Sequence, residues 1–302
     1  MIKTVQKLLD RNFVVGYFIP ACFFVFCNAM ILHQLYYWEF NKEEALSDAS
    51  LFSLVSWLFG VLLSICNWRV IRTLEGYGSF NPLGVFRFFH VWNYKRHKKK
   101  LESLTLELSN YSDKDRLRAL KHKLSMRKVY LADHYPNNPL WIKGTGFGNT
   151  IRAFEVYPKI MYGAESIYIW DRMVAVISKE FMEIINESKS RVDFWVNVLF
   201  LLIILAAEVL ILDMSDTMKM PWWLYLVFLL LFLLGSKGAK DSAREWGVSI
   251  KSAFDIYLPV LYKKLNFQTP ATKSEEWQNW HDFSTAISHK DPLLIPKKKF
   301  EA

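Results

Sequence analysis

Lysine and arginine gather in two clusters of this chain. Lys95, Arg96, Lys98, Lys99 and Lys100 form one, and Arg116, Arg118, Lys121, Lys123, Arg127 and Lys128 form the other. Cations at this density neutralise phosphates, which is the main term in binding a polyanion. By themselves they neither move protons nor form covalent intermediates. Downstream, Gly144, Gly146 and Gly148 precede Arg152 and a helical pattern that Pro158 ends. Such a loop could offer backbone N–H groups and a helix start to an anion, or it could be a structural turn. Its spacing is GxGxG rather than GxGxxG or the P-loop form, and no strand is expected before it, so the dinucleotide and Walker readings fail. Tyr130, Tyr135 and Trp141 nearby would stack bases or serve as core.

A second pattern belongs to an apolar stretch. Ser53, Ser56, Gly60, Ser64 and Asn67 recur at helical spacing, making one small and polar face on a helix otherwise carrying Leu, Val, Phe and Trp. Small residues and hydroxyls of this kind make a helix-packing seam, or they line a water-filled path along an oligomer axis. Glu208 is the one carboxylate within an apolar run; an intramembrane acid is a functional candidate, although Asp213 close by allows an interfacial position. No catalytic constellation stands out: the seven histidines lack ligand spacing and HExxH and GxSxG are absent. No enzyme, cofactor or metal is expected. Cys22, Cys27 and Cys66 all fall in apolar runs, where cysteine acts as a small hydrophobe rather than as part of a disulfide framework or zinc site.

The elements that must hold these residues follow from four apolar runs, 13–32, 51–66, 194–212 and 221–235. A bilayer crossing needs roughly 20 mostly apolar residues; the first and third runs meet this, and the second and fourth need their flanks. Buried core helices are the soluble alternative. A cleaved signal peptide is the alternative for the first run, but no small-residue cleavage pattern follows it. Residues 69–191 carry 22 Lys and Arg against 12 Asp and Glu, while the whole chain has a net charge of +9, so the excess belongs to the insert between the two pairs of runs. The two short connections are acidic instead. The positive-inside rule then puts both termini and the insert on the cytoplasmic side of the membrane.

In chain order, a basic lead-in precedes the first span, where Gly16 and Pro20 allow a bend and Tyr36, Tyr37 and Trp38 make an interfacial cluster. Gly76 and Gly78 allow a tight turn after the second span, and residues 80–89 read as lying along the bilayer surface or packing under the insert. Leu101, Leu104, Leu108 and Tyr111 form one apolar stripe and Leu117, Leu120, Leu124 and Leu131 another. A fresh cap at Ser112 and Asp113 separates them, so a helical hairpin with basic residues outward is expected. A helix without a breaker from Lys179 runs into the third span. The fourth span continues inward past Gly235, Gly238, Ala239, Ser242 and Ala243, with a bend at Pro259. The expected fold is an all-α membrane protein: an N-terminal transmembrane hairpin (1–72), a basic helical insert (73–191), a C-terminal transmembrane hairpin (192–236) and a helical tail (237–302).

Several short patterns resemble an uncharacterised family of bacterial four-span membrane proteins: Leu74-Glu75-Gly76-Tyr77, Gly148-Asn149 followed by Arg152-Ala153 and Glu155, Tyr162-Gly163, Trp170 with Arg172, and Ala253-Phe254-Asp255 with Tyr257. Glycine stands before Phe147-Gly148 where that pattern has leucine, and Asp171 stands where it has proline. The resemblance implies the four-span architecture and carries no site. The architecture itself is similar to that of membrane effectors of bacterial anti-phage systems, in which a nucleotide or nucleic-acid signal gates a pore. The expectation is a homo-oligomeric channel in contact with lipid and gated by a nucleotide or oligonucleotide on the insert. The alternative is a non-conducting scaffold or sensor that docks a cytoplasmic protein on the aromatic C-terminal region. A transporter ranks third because no repeat is visible.

Overall fold

Each apolar run folds as part of a longer helix. The computed structural model describes residues 10–36, 45–76, 82–110 and 114–297. The lead-in before Asp10, Tyr37, Trp38, Gly78, Phe80, Tyr111, the cap at Ser112 and Asp113, and residues 298–302 of the basic tail lie outside them. No strand occurs among the described residues.

We number as α1 the continuous run of Arg11–Phe13, a π-helical turn Val14–Phe18, and Ile19–Tyr36. Then come α2 (Ala45–Glu75), α3 (Arg87–Asn110), α4 (Lys114–His134), α5 (Gly146–Glu155), α6 (Tyr157–Tyr162), α7 (Ser166–Val174), α8 (Lys179–Met214), α9 (Trp222–Lys264) and α10 (Lys273–His289). Helices α1, α2, α8 and α9 are each long and apolar enough to cross a membrane. Their surfaces fit that solvent: Leu226, Leu229, Leu230 and Leu233 of α9 are all more than half exposed, a display that in water would invite aggregation. At about 1.5 Å per residue, the 36 residues of α8 and 43 of α9 reach about 54 and 64 Å. Both therefore exceed a hydrocarbon layer of about 30 Å, and α9 stays helical through Pro259.

The chain divides into two compact units, Met1–Gly78 with Asn186–Ser242 and Ser79–Ile185 with Ala243–Ala302. In the first, Ala21 and Phe24 of α1, Leu63 of α2 and Leu201 and Leu205 of α8 form a buried core. The small face of α9 is used for close approach: Cβ atoms added at Gly235 and Gly238 would fall 2.9 Å from Leu199 Cδ2 and 2.5 Å from the Trp195 indole. The bend expected at Gly16 and Pro20 takes a definite form. Proline has no N–H to give the carbonyl four residues back and its ring crowds that carbonyl. The helix widens into a π turn there, and the freed carbonyl of Gly16 accepts from Asn197 Nδ2 of α8 at 2.9 Å.

In the second unit α3 and α4 pack on each other as a hairpin. Leu120 and Leu124 are buried, and Tyr94, Tyr135 and Ile142 form a core beneath them. Arg87 Nε donates to the Ile142 carbonyl (2.8 Å) and Tyr94 Oη to that of Asn137 (3.0 Å), fixing the start of α3. Elsewhere in this unit, Trp280 of α10 is fully buried among Tyr262, Phe267 and Phe283. Thr272 caps α10 by accepting from the Glu275 N–H, while the Glu275 carboxylate accepts from the Ala271 N–H, a reciprocal capping arrangement.

Candidate functional site

The leucine stripe of α4 decides where its cations point. Arg118, Lys121 and Lys128 run along one flank of Leu117, Leu120 and Leu124, and Arg116, Lys123 and Arg127 along the other. With the leucines turned inward, all of these cations except the half-buried Arg127 are exposed, as are Lys95, Arg96, Lys98, Lys99 and Lys100 on α3. Among the described residues, no carboxylate lies within 4.0 Å of Lys95, Arg96, Lys98, Lys99, Lys100, Arg118, Lys121, Lys123 or Lys128. The fold brings both sequence clusters onto one hairpin and leaves these nine cations without an ion-pair partner among the described residues.

Arg127 turns inward instead, and its Nη1 donates to Nδ1 of His97 on α3. His97 stacks on Tyr130 (centroids 4.8 Å), and Tyr130 stacks on His134 (4.2 Å). This column occupies both faces of Tyr130, so that ring serves the hairpin rather than a base. Burial lowers the His97 pKa, and the positive charges of Arg127, Arg96, His134 and Lys100 lower it further. The folded hairpin therefore resists a proton that the unfolded chain accepts near pH 6.5. The hairpin should be most stable above about pH 6.5 and lose stability as the pH falls through that value toward the lower folded pKa. Hydrogen exchange of α3 and α4 between about pH 8 and pH 5 should show this loss, and His97→Gln should flatten it; equal slopes in the two proteins would remove His97 as the cause.

The glycine-rich stretch builds the wall next to the hairpin. Asn149 is fully buried; its Oδ1 accepts from the Lys143 N–H (2.7 Å) and its Nδ2 donates to the carbonyls of Lys143 (3.1 Å) and Thr145 (2.8 Å). Thr145 Oγ1 accepts from the Gly148 N–H. A Cβ on Gly144 would fall 2.0 Å from the Leu83 carbonyl oxygen, so only glycine fits there. The helix start is thus spent on closing its own loop. Arg152 pairs with Glu155 (3.1 Å) and lies over Trp141 (5.3 Å to the ring).

In the first unit, the polar stripe of α2 is divided. Ser56, Gly60 and Asn67 are buried within the protomer, with Gly60 within 3.4 Å of Phe13 and Phe18 for an added Cβ, whereas Ser53 is exposed and Ser64 half-buried. Ser53 and Ser64 bond carbonyls of their own helix. Glu208 has one buried, partnerless oxygen, Oε2. It borders a largely apolar cleft of about 1,010 Å³ whose α2 wall includes Asp48, Phe52, Val55, Phe59 and Leu62 but none of the stripe.

Elsewhere in this unit Asn67 of the stripe converges with three residues that went unremarked in the sequence, Tyr17, Lys189 and Asp193. Asp193 of α8, 4% exposed, accepts from Tyr17 Oη of α1 (2.9 Å), from Asn67 Nδ2 of α2 (2.9 Å), and from Lys189 Nζ at both oxygens (2.9 and 2.8 Å). Lys189, Asp193 and Asn197 stand four residues apart on one face of α8, and that spacing at the edge of an apolar run was the available signal. The node ties three apolar helices together by side-chain charge. It contains no nucleophile and base in catalytic relation, and no group of His, Cys, Asp or Glu able to hold a metal occurs among the described residues.

Of the segments that carry the family resemblance, those around Tyr162, Trp170 and Asp255 meet in the second unit, while Leu74-Glu75-Gly76 belongs to the first. Tyr162 Oη donates to Asp255 Oδ1 (2.7 Å), beside a second donor, Tyr157 (2.9 Å), and Trp170 packs on Phe254. Burial and then the bond to Asp255 raise the pKa of Tyr162, so it stays a neutral donor to that carboxylate. No protein-family model, curated protein or solved structure matches this chain, and its function is read from its own geometry.

Proposed function

We propose that this is a multi-pass protein of the bacterial inner membrane, with both termini in the cytoplasm, whose basic α3–α4 hairpin receives a phosphate-bearing nucleotide or oligonucleotide and controls a pore formed by several copies. The observation that carries this reading is the row of exposed cations on α4, of which Arg118, Lys121, Lys123 and Lys128 have no ion-pair partner among the described residues. An ordinary solvated helix face mixes both signs evenly, whereas α4 carries seven Lys and Arg against only Asp115 and Asp133, and Asp133 pairs with Lys251 (3.1 Å). The apolar surface of α1, α2, α8 and α9 supports the membrane setting, and the lysine and arginine distribution supports the orientation.

Ser56, Gly60 and Asn67 are taken up by packing inside one copy, so a conducting path would run between copies. A place in anti-phage defence rests on likeness of architecture alone. The alternative scaffold reading needs the C-terminal aromatics as a docking surface; Trp280 and Phe283 are buried in the core, while Trp277 is 37% exposed. The test is potassium flux from liposomes containing the purified protein, challenged with cyclic dinucleotides and short oligoadenylates. Flux that appears with one of these ligands supports the proposal; liposomes that stay tight with every one, while the protein is shown to be inserted, overturn it.

A further inference from the structure

The start of α3 carries a surface that ligand binding on α4 does not use. Val85, Phe86, Phe88, Phe89 and Trp92 are 70, 54, 70, 49 and 54% exposed. This is not a loose end, because the opposite side of the same helix is pinned: Tyr94 is buried against Tyr135 and Ile142, and Arg87 is bonded to two carbonyls. The exposed rings are ordered among themselves, Phe89 stacking on Trp92 (6.1 Å) and the Arg96 guanidinium lying over Trp92 (5.6 Å). Phe88, Trp92, Arg96 and Lys99 fall at spacings of four, four and three, which places them on one helix face, rings first and cations in the following turns.

Two features choose the occupant. The cations have no carboxylate partner among the described residues, so the matching surface is anionic. Rings next to cations suit the boundary between acyl chains and phosphate headgroups, where aromatic residues and lysine or arginine concentrate. Sequence distance favours the same occupant: only residues 76–81 separate the end of α2 from the Pro82–Phe86 turn, and a helix that crosses a bilayer delivers its next residues to the headgroup layer. We propose that the face bearing Phe88, Phe89 and Trp92 is a membrane-interface anchor, its rings seated in the headgroup region of an anionic bilayer and Lys95, Arg96 and Lys99 set against lipid phosphates. The anchor stands whether or not α4 binds a soluble ligand.

The test uses the full chain in nanodiscs, one set of phosphatidylcholine alone and one containing phosphatidylglycerol. An environment-sensitive fluorophore is attached to Trp92→Cys after Cys22, Cys27 and Cys66 are changed to alanine, with Ser125→Cys on the exposed side of α4 as the reference. At position 92 the emission should be blue-shifted and several-fold brighter than at 125, and quenched by spin-labelled lipid. It should lose that gain when Lys95, Arg96 and Lys99 are all changed to glutamate. Emission at 92 that matches 125 in both lipid sets would overturn the proposal. So would a bright signal that spin-labelled lipid fails to quench, since the rings would then be covered by protein.

Discussion

Asp193→Ala is expected to destabilise the helix bundle by about 3 kcal/mol, at the lower end of what breaking a buried ion pair costs. The carboxylate side chain is 5% exposed and gathers donors from three helices. Its removal takes the acceptor from the Tyr17 hydroxyl and leaves the Asn67 amide only its bond to Tyr17 Oη (3.0 Å), and an unmet polar group inside the protein costs about 1–3 kcal/mol. Lys189 limits the damage: its side chain is 37% exposed, and its apolar stem allows the ammonium to swing to water. Asp193→Asn should cost less, because the amide oxygen still accepts from one of the two donors. Thermal unfolding in detergent, followed by circular dichroism, checks the order. If Asp193→Ala melts no earlier than Arg191→Ala, an exposed neighbour on the same helix, the node does not hold the bundle together.

Changing Arg116, Arg118, Lys121 and Lys123 together to alanine should abolish tight binding of a single-stranded oligonucleotide while leaving the hairpin folded. All four side chains are exposed, and alanine is the better helix former. Each phosphate contact contributes about 0.7 to the slope of log affinity against log salt for single strands. Losing four such contacts should therefore flatten that slope by about 3. Fluorescence anisotropy of a labelled oligoadenylate across a salt series reads both affinity and slope. Unchanged slope and affinity would make α4 a solvated face. Alanine is used rather than glutamate so that a loss reflects missing contacts and not new repulsion.

What could be read in the sequence was whatever is local. The apolar runs became α1, α2, α8 and α9, with ends extended because helices continue beyond the segment that is apolar enough to notice: the run 194–212 lies inside Lys179–Met214, and 221–235 continues to Lys264. The leucine stripes foretold the α3–α4 hairpin, since a 3.6-residue period fixes which side turns inward. What escaped was pairing across distance. Tyr17 and Asp193 are 176 residues apart, and Asn67 and Asp193 are 126 apart; singly, each looks like an interfacial tyrosine, an edge-of-span acid or a stripe amide. The stripe on α2 was visible as a face, but periodicity does not say what that face meets. The C-terminal aromatics were equally ambiguous, because tryptophans in a short helix look the same whether they wait for a partner or, like Trp280, close a core.

The π turn before Pro20 has a consequence for inheritance as well as for shape. A wide turn takes up one more residue than an α turn, and an α-helix advances about 100° for each residue. The turn therefore sets the phase of the helix N-terminal to it, and the direction in which Tyr17, within it, leaves the helix. A substitution at Pro20 that let an ordinary helix re-form would return an N–H to the Gly16 carbonyl, evict Asn197, and rotate the preceding turn by roughly one residue's worth of angle. The lineage of this chain would then be constrained at residue 20 by a charge on α8, so that Pro20, Asp193 and Asn197 would be free to drift only as a set.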